Sequence, residues 1–464
     1  MITPGQEETI CAIATPPGTG AIAIVRLSGT EAITICESVF SPKKKSLKLT
    51  ETETHTIHFG FIMKDEEMVD EVLVSVFRAP HSYTGENSVE ISCHGSSYIQ
   101  QKIVELLISK GARLARPGEF TLRAFLNRKF DLSQAEAVAD LISASSQTAH
   151  NLAMDQMRGG FSRKIGDLRT RLLDFASLIE LELDFSQEDV EFADRKALKK
   201  LLEEIKSEIT NLASSFSYGN VLKTGIPVAI IGKPNVGKST LLNAILNEER
   251  AIVSEIPGTT RDTIEDTIVV HNYAFRFIDT AGLRHSTDAI ESEGIERTYE
   301  KIRQAKIVLY VFDANDLTPW PPLLEERGKR GSGGEGGEVI LVANKADLLE
   351  ETPAHLKELL EEHCIFISAK RKENINLILE RLVEVVKEMH IQDTAVVSNV
   401  RHYEALNGTL QAVEAVEAGI SSGLSGDLVT VDLRMALYHL GEITGEITTD
   451  DILGNIFGRF CIGK

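Results

Sequence analysis

The chain has 464 residues, a length that predicts about three domains of ~150 residues each. Its formal net charge of −20 argues against a protein that coats nucleic acid through its overall field, so a nucleic-acid partner would need a local basic patch. Five scattered cysteines without a C-x-x-C pair, no export signal, and no apolar run near the ~20 residues that cross a bilayer together predict a reduced cytoplasmic protein with no membrane segment.

The N-terminal quarter of the chain predicts a compact α+β domain. Short β-rich runs such as residues 10–14 and 71–77 alternate with Pro, Gly and Ser, and residues 99–110 have helical spacing. Two polar loops that contain glycine, residues 16–20 and 83–87, have a composition that suits a small ligand, although ordinary turns are the simpler explanation. The loops alone therefore do not define a site.

From Phe120 onward the hydrophobic period becomes helical, and it does so again after about Val400. The predicted apolar faces comprise Leu132, Ala135, Val138, Leu141 and Ile142, then Ile165, Leu168, Leu172, Phe175 and Ile179, then Leu198, Leu202, Ile205, Ile209, Leu212 and Phe216. The later helical stretches are residues 403–418 and 430–440. We therefore predict a unit inserted into a helical domain whose two parts pack together, with separate helical caps as the alternative.

The inserted segment opens with a phosphate-binding motif. Residues 232–239, Gly-Lys-Pro-Asn-Val-Gly-Lys-Ser, fill the pattern G-x-x-x-x-G-K-[ST], with a β-rich run before them and a helical run after them. The glycines allow backbone N–H groups to surround phosphates at the start of a helix, where peptide dipoles favour negative charge. We expect Lys238 to reach the β- and γ-phosphate oxygens and Ser239 to bind Mg²⁺. A glycine-rich turn that matches by chance is the alternative.

Polar motifs follow the later strands of this segment, which alternates strand and helix as a parallel-sheet domain does. Residues 279–282 (Asp-Thr-Ala-Gly) would place a carboxylate near Mg²⁺ and a glycine N–H near the γ-phosphate. The aspartate of residues 344–347 (Asn-Lys-Ala-Asp) can accept both donors of the guanine edge, which adenine lacks. Residues 368–370 (Ser-Ala-Lys) can offer backbone amides to the guanine oxygen. Together with the phosphate loop, these motifs predict GTP rather than ATP.

The residues that would organise hydrolysis are less clearly marked. In the Gly-Thr-Thr-Arg-Asp run that begins at residue 258, Thr260 is the better candidate to complete the metal sphere and to sense the γ-phosphate. Leu283 stands where many GTPases have the glutamine that orients water, so hydrolysis must be organised differently. Asp288, Glu291 and Glu293 are candidates to position the water, although each is equally explained as a solvated loop charge.

Over essentially its whole length the chain resembles the MnmE (TrmE) family of tRNA-modification GTPases. The resemblance rests on Ala-Thr-Pro-Pro-Gly at 14–18, Arg-Pro-Gly-Glu-Phe at 116–120, Ala-Phe-Leu-Asn at 124–127, Ala-Glu-Ala at 135–137, the phosphate loop with Asn235, and Cys-Ile-Gly-Lys at 461–464. It implies a multidomain α/β protein. The implied parts are an N-terminal α+β domain for folate binding and dimerisation (1–119), a discontinuous all-α helical domain (120–220 and 390–464), and an inserted Ras-like P-loop GTPase domain (221–389).

The resemblance also implies a reaction. GTP hydrolysis would be coupled to the addition of a carboxymethylaminomethyl group at C5 of the wobble uridine, position 34, of certain tRNAs. A homodimer of the chain would act with an FAD-dependent GidA/MnmG-type partner in a heterotetramer and would use 5-formyl- or methylene-tetrahydrofolate. Potassium and transient pairing of two GTPase domains would activate hydrolysis. A regulatory or ribosome-assembly GTPase without modification chemistry is the alternative, and a folate-dependent transferase with a degenerate GTPase domain is disfavoured by the intact motifs.

Individual roles follow from the resemblance residue by residue. Arg26, Glu90, Lys129 and Lys464 match folate-binding residues, Cys461 matches a cysteine needed for modification, and Glu291 matches the residue that organises the attacking water. Asn235, Ser254, Ile256 and Thr259 match the potassium ligands, and Ser239 and Thr260 the Mg²⁺ ligands; Ser254 is threonine in familiar members. The motifs and the resemblance together assign GTP binding to Asn235, Val236, Gly237, Lys238, Ser239, Thr240, Ser254, Glu255, Ile256, Pro257, Gly258, Thr259, Thr260, Asp279, Thr280, Ala281, Gly282, Asn344, Lys345, Asp347, Ser368, Ala369 and Lys370.

Two basic clusters are candidates for tRNA docking, although solvated helix faces are the commoner explanation for such runs. The first comprises Arg113, Arg116, Arg123, Arg128 and Lys129, and the second Arg158, Arg163, Lys164, Arg169 and Arg171.

Overall fold

The computed structural model describes residues 8–184, 195–248, 252–253, 266–278, 303–315, 337–349, 364–388, 396–422, 424–458 and 460–464. Contacts between residues divide the chain into two compact units. The first comprises Met1–Ala139, Gln156–Ala193 and Ala418–Lys464, and the second comprises Asp140–Asp155 and Asp194–Glu417.

The first unit contains a seven-stranded sheet in the order β3-β4-β5-β6-β2-β1-β7. Its strands are β1 Ile10–Ile13, β2 Ile22–Ser28, β3 Phe40–Pro42, β4 Thr56–Lys64, β5 Glu67–Phe77, β6 Ser88–His94 and β7 Arg113–Leu114. Helices α1 (Ala32–Val39) and α2 (Ser97–Ser109) pack on the face where Val25 and Ile91 are fully buried. Because side chains alternate along a strand, Arg26 and Glu90, which are partners in the β2–β6 register, lie on the other face.

Helices from both ends of the chain pack together in this unit. They are α3 Glu119–Leu126, α4 Leu132–Ser143, α6 Gly160–Asp184, α12 Gly426–Thr444 and α13 Asp450–Phe457. Helix α6 packs along α12, and a shared core joins Leu122 and Leu132 to Leu453 and Phe457. The predicted apolar face of α6 is buried along its length, at Ile165, Leu168, Leu172, Phe175 and Ile179, which confirms the helical period there.

One position on α4 differs from the prediction. Ile142 was expected on the buried face of the helix, but it is 53% exposed. The residues that α4 contributes to the core of the first unit run from Leu132 to Ala139, and Ile142 belongs to the second unit.

A buried charge network fixes the start of α3. The Glu119 carboxylate, 3% exposed, accepts from Arg113 at 2.7 Å and from Arg123 at 3.1 Å, and Arg123 also contacts Glu86 at 3.1 Å. Burial acts to raise the pKa of Glu119, but the hydrogen bonds and charges of its partners outweigh burial and hold that pKa below its ordinary value. Arg113 and Arg123 are therefore committed to carboxylates and do not form a free basic surface.

The second unit contains a seven-stranded sheet in the order β14-β13-β12-β8-β11-β10-β9. Its strands are β8 Ile226–Ile231, β9 Ile252–Val253, β10 Asp266–Val270, β11 Tyr273–Phe277, β12 Ile307–Asp313, β13 Glu338–Asn344 and β14 Ile365–Phe366. Strands β8, β11, β12, β13 and β14 are parallel, and β8 is buried throughout. Because parallel strands end at the same edge, the motifs that follow β8, β13 and β14 meet there.

Helices of this unit are α5 Gln147–Met157, which ends beyond it, α7 Arg195–Ser214, α8 Phe216–Thr224, α9 Lys238–Leu246, α10 Ile375–Glu388 and α11 Val400–Ser421. Phe216 stacks on Tyr403 with ring centroids 4.5 Å apart, and Ser215 Oγ accepts from Val397 N–H at 3.0 Å. Segments before and after the strands of the sheet thus pack together here as well. The predicted multidomain α/β fold is confirmed, whereas the individual domain boundaries stay a prediction.

Within the residues described, helices long and apolar enough to span a membrane are absent.

Glu119→Gln should destabilise the fold by about 3 kcal/mol at neutral pH, because the buried Arg123 loses one of its two carboxylate partners and Arg113 loses its contact with the same carboxylate. The folded-state pKa of Glu119 lies below the ordinary 4.5, so its stabilisation is present above that value and is lost as the pH falls further. The difference between wild type and variant should therefore shrink in acid. Urea unfolding from pH 3 to pH 7 measures this. Glu105→Gln, which alters an exposed carboxylate on α2, should change stability by less than about 0.5 kcal/mol.

Candidate functional site

The phosphate loop leaves β8 at Gly232 and enters α9 at Lys238. Positive φ angles occur at Gly232 (153°), Asn235 (61°) and Gly237 (98°), which turn the chain tightly between strand and helix. A Cβ atom on Gly232 would collide with the carbonyl oxygen of Val311, so only glycine allows β12 to approach this closely. Lys238 Nζ donates to the carbonyls of Gly232 at 2.8 Å and Lys233 at 2.7 Å. The ammonium group is thereby held across the loop.

Asn344, at the end of β13, joins three loops through its side chain. The amide is buried, and Nδ2 donates to Val236 O at 2.7 Å while Oδ1 accepts from Ala369 N–H at 3.0 Å. A Cβ atom on Gly237 would collide with Asn344 Nδ2. The phosphate loop, residues 344–347 and residues 368–370 are therefore one hydrogen-bonded assembly.

The charged residues of the predicted base-binding loop are both ion-paired. Lys345, with φ 65°, places Nζ 2.7 Å from Asp313 Oδ2. The Asp347 side chain is 9% exposed, and its Oδ2 lies 3.4 Å from Arg371 Nε. Ser368 Oγ accepts from Arg371 N–H at 3.2 Å, which ties this arginine to the same assembly. Asp347 is thus a partly buried residue whose carboxylate has a cation at its edge, and it is suited to accept the paired N–H donors of guanine.

Several predicted nucleotide and catalytic residues lie outside the described part of the chain. They are Ser254, Glu255, Ile256, Pro257, Gly258, Thr259, Thr260, Asp279, Thr280, Ala281, Gly282 and Glu291. The described cation candidates are Ser239 and Asn235. Ser239 lies in the first turn of α9, where the helix dipole favours anions. A cation at this place would fit only together with phosphate oxygens, which is how Mg²⁺ is usually held in nucleotide sites.

A second cluster of predicted site residues lies on the open face of the sheet in the first unit. Arg26 donates to Glu90 Oε1 through Nε at 2.9 Å, and its NH2 lies 2.8 Å from the same oxygen. The guanidinium carbon lies 5.5 Å from the ring centre of Tyr83 and 5.7 Å from that of Phe120. The two rings thus flank the guanidinium group of Arg26, and this arginine orients the Glu90 carboxylate, a group that can accept the polar N–H edge of a pterin.

The segment Cys461 to Lys464 borders this cluster. Gly463 O accepts from Arg26 NH1 at 3.3 Å, and Phe120 N–H donates to Lys464 O at 3.2 Å. Gly463 has φ 97°, and a Cβ there would collide with Ile13 O, so the segment follows β1 closely. The backbone of residues 463–464 therefore lies beside Arg26 and Phe120.

The predicted folate residue Lys129 makes a different contact. Its Nζ donates to Pro80 O at 3.0 Å, and its stem approaches Gly85, so it lies against the loop that carries Tyr83.

The five cysteines differ sharply in their surroundings. Burial raises the pKa of Cys11, Cys93 and Cys364 to about 11 and that of Cys36 to about 12, so these thiols stay protonated. Cys461 is exposed. Thiol chemistry near neutral pH therefore falls to Cys461.

Sequence reasoning missed Tyr83, Phe120 and Asp313 as site residues. Tyr83 opens one of the two loops whose composition suited a ligand, and Phe120 ends the Arg-Pro-Gly-Glu-Phe motif, so weak signals existed for both. Asp313 is the last residue of β12, a strand end that carries no recognised motif, so only its position at the edge shared with Asn344 gave a signal.

Comparison with known proteins accounts for this arrangement. A family model described as "MnmE helical domain" matches residues 132–461, and one described as "GTP-binding protein TrmE N-terminus" matches residues 9–129. The "tRNA modification GTPase MnmE" of Bacteroides fragilis is 54% identical over 99% of this chain and 100% of its own length. The chain belongs to the MnmE family.

Other MnmE proteins are similarly close. The "tRNA modification GTPase MnmE" of Christiangramia forsetii is 53% identical, with 99% of both chains covered. Among solved structures, Era of Aquifex aeolicus is 26% identical over 40% of this chain and 66% of its own, with a TM-score of 0.25. A score that low describes no common overall fold, so the MnmE assignment rests on the sequence matches.

Asn344→Asp should weaken nucleotide binding to this MnmE-family chain by about tenfold or more. The change removes the donor to Val236 O and sets a carboxylate against a carbonyl, a loss of about 1–3 kcal/mol. Titration with a fluorescent GDP analogue measures it. Asn247→Asp, at the other end of α9, is the matched control and should leave the affinity unchanged. Equal affinities for Asn344→Asp and wild type would contradict the bridging role.

Proposed function

We propose that this chain couples GTP hydrolysis to the carboxymethylaminomethyl modification of the wobble uridine, at C5 of position 34, in certain tRNAs. As a member of the MnmE family it is a tRNA-modifying GTPase that hydrolyses GTP. The observation that best supports the finer chemistry is the contact between the segment that carries Cys461 and the Arg26–Glu90 pair. A purely regulatory GTPase would need neither that segment nor that pair.

GTP would bind at the edge of the second sheet. Backbone amides from Asn235 to Thr240 would surround the phosphates, with Lys238 already held across the loop by its carbonyls. Asp347 would accept the guanine donors, and Ala369 and Lys370 would meet the guanine oxygen. The buried amide of Asn344 supports this proposal because it holds these loops at fixed spacing before nucleotide arrives.

Two cations would complete the phosphate site. Mg²⁺ would be held by Ser239 and Thr260, and potassium by Asn235, Ser254, Ile256 and Thr259. When bound, potassium would neutralise charge that develops on the phosphates, as an arginine does in other GTPases. Glu291 would position the attacking water, and transient pairing of two GTPase domains would exclude solvent. The tight turn at Asn235, with φ 61°, supports a side chain poised beside the phosphates.

A tetrahydrofolate derivative would bind in the first unit and supply the one-carbon unit. Glu90 would accept hydrogen bonds from the pterin edge, while Arg26, already paired with Glu90 at 2.8 Å, fixes the orientation of that carboxylate. Lys129 and Lys464 would pair with anionic groups of the cofactor. Cys461 would bring the exposed thiol to the tRNA chemistry.

The remaining partners follow from the same proposal. The chain would form a cytoplasmic homodimer through its N-terminal domain. It would bind tRNA, and it would assemble with an FAD-dependent GidA/MnmG-type protein into a heterotetramer.

GTP hydrolysis should be faster in potassium than in sodium at equal ionic strength. In potassium, Asn235→Ala should lose about 2–3 kcal/mol of transition-state stabilisation, which is a fall in rate of about 30- to 160-fold. In sodium the same variant should change the rate little. Steady-state phosphate release in the two salts measures both effects. Equal wild-type rates in both salts would contradict the proposed cation role.

Glu90→Gln should weaken binding of 5-formyl-tetrahydrofolate by about tenfold, because it removes an ionised acceptor. Isothermal titration calorimetry measures this, and Glu67→Gln, on an exposed residue at the start of β5, is the control.

Cys461→Ser should retain GTP hydrolysis and folate binding but abolish modified uridine, detected by mass spectrometry of tRNA after reaction with the flavoprotein partner. A wild-type chain that binds no folate would favour the regulatory GTPase.

A further inference from the structure

Asp313, at the end of β12, has a role that the nucleotide motifs do not assign. Both of its carboxylate oxygens are used. Oδ2 accepts from Lys345 Nζ at 2.7 Å, while Oδ1 accepts from Asn315 N–H at 3.0 Å and from Asn315 Nδ2 at 3.1 Å. The turn at Asn315 therefore fixes the orientation of the carboxylate, and the carboxylate fixes the ammonium group.

Asp313 and Lys345 lie at the nucleotide edge, which is the edge of the second sheet where the loops after β8, β13 and β14 meet. Asp313 is the register partner of Asn344 in the β12–β13 ladder, and Ala314 N–H donates to Asn344 O at 2.8 Å. On its other side β12 borders β8, and the carbonyl of Val311 lies against Gly232 at the start of the phosphate loop. The side chain of Lys345 thus runs from the end of β13 to the end of β12, next to the strand that carries the phosphate loop.

We propose that Asp313 is a positioning residue for guanine-nucleotide binding, which it promotes by holding the side chain of Lys345 extended along the nucleotide edge. The inference rests on the proposed binding of GTP at this edge. A free lysine samples many rotamers, and a nucleotide that had to order this side chain would bind less tightly. Asp313 orders it in advance.

The surroundings make the pair stronger than an ordinary surface ion pair. The two side chains are 35% and 23% exposed, so water screens their attraction only in part. Burial acts to raise the pKa of Asp313, but the hydrogen bonds from Lys345 and Asn315 outweigh burial and hold that pKa below its ordinary value. The carboxylate is therefore ionised throughout the neutral range.

Asp313→Asn is the sharpest test, because the amide oxygen can still accept from Asn315 while the negative charge is lost. With the full chain and a fluorescent GDP analogue, we expect release to become about five- to tenfold faster and association to stay the same. Urea unfolding should be nearly unchanged. Glu338→Gln is the matched control: it removes a carboxylate at the opposite end of β13, where Glu338 lies 3.6 Å from Arg381, and should leave release unchanged.

A double-mutant cycle tests whether Asp313 acts through Lys345. Lys345→Met keeps the apolar stem and removes the ammonium group. Release from Lys345→Met and from the Lys345→Met/Asp313→Asn double variant should be equally fast, because the second change has no ammonium left to free. If release from the double variant were faster than release from Lys345→Met, by the factor that Asp313→Asn alone produces, the inference would be overturned and Asp313 would have an independent role.

Base selectivity gives a second readout that a general loosening of the fold would not reproduce. Inosine diphosphate (IDP) lacks the 2-amino group whose hydrogen bond Asp347 would accept. Asp347→Asn should therefore change the ratio of GDP affinity to IDP affinity. Asp313→Asn should weaken both by the same factor, and a changed ratio would overturn the inference. If the wild-type chain bound neither nucleotide, the proposed function would fail. Wild-type binding with unchanged release from Asp313→Asn would overturn the role of Asp313 alone.

Discussion

One buried amide holds the nucleotide end of the second unit together. Asn344 bonds the loops after β8 and β14 through a single side chain, and its backbone carbonyl receives the chain that leaves β12. A buried amide that lost one of these partners would keep an unsatisfied polar atom, at a cost of about 1–3 kcal/mol. The loops are therefore fixed relative to each other, and the glycine at 237 is required because a larger residue would collide with the amide. Lys238 and Lys345 lie in these loops, and hydrogen bonds to the carbonyls of Gly232 and Lys233 and to Asp313 orient their side chains.

In the first unit, buried charges and not an amide fix the chain next to the predicted ligand cluster. Glu119 is buried between two guanidinium groups, and this arrangement fixes the first turn of α3. Phe120, the next residue, then supplies both a ring beside Arg26 and a backbone N–H for Lys464. The charge network thus lies behind the cluster that faces the open side of the sheet. Removal of the Glu119 charge would leave the buried Arg123 with Glu86 as its remaining carboxylate partner, which makes the network sensitive to substitution.

Local chemistry explains which features could be predicted from sequence. The phosphate loop, the strand before it and the helix after it depend on neighbouring residues, and the structure has each of them. The helical periods also located α6, α7, α11 and α12, and the multidomain α/β class was correct. Features that depend on distant partners were harder to predict. The carboxylates that neutralise Arg113 and Arg123, the rings beside Arg26, and the exposure of Ile142 follow from tertiary packing that no local pattern encodes.

The contact between Arg26 and Gly463 joins residues that are 437 positions apart, and this separation constrains the order of assembly on the ribosome. At 5–20 residues per second, roughly 20 to 90 seconds pass between synthesis of the strand that carries Arg26 and synthesis of Gly463. During that interval the nascent sheet can pair its strands while the border of its ligand cluster is still missing. A chain that stalled or was released before Gly463 would therefore carry a folded sheet with an incomplete pocket, so competence to bind there reports that translation has passed this residue.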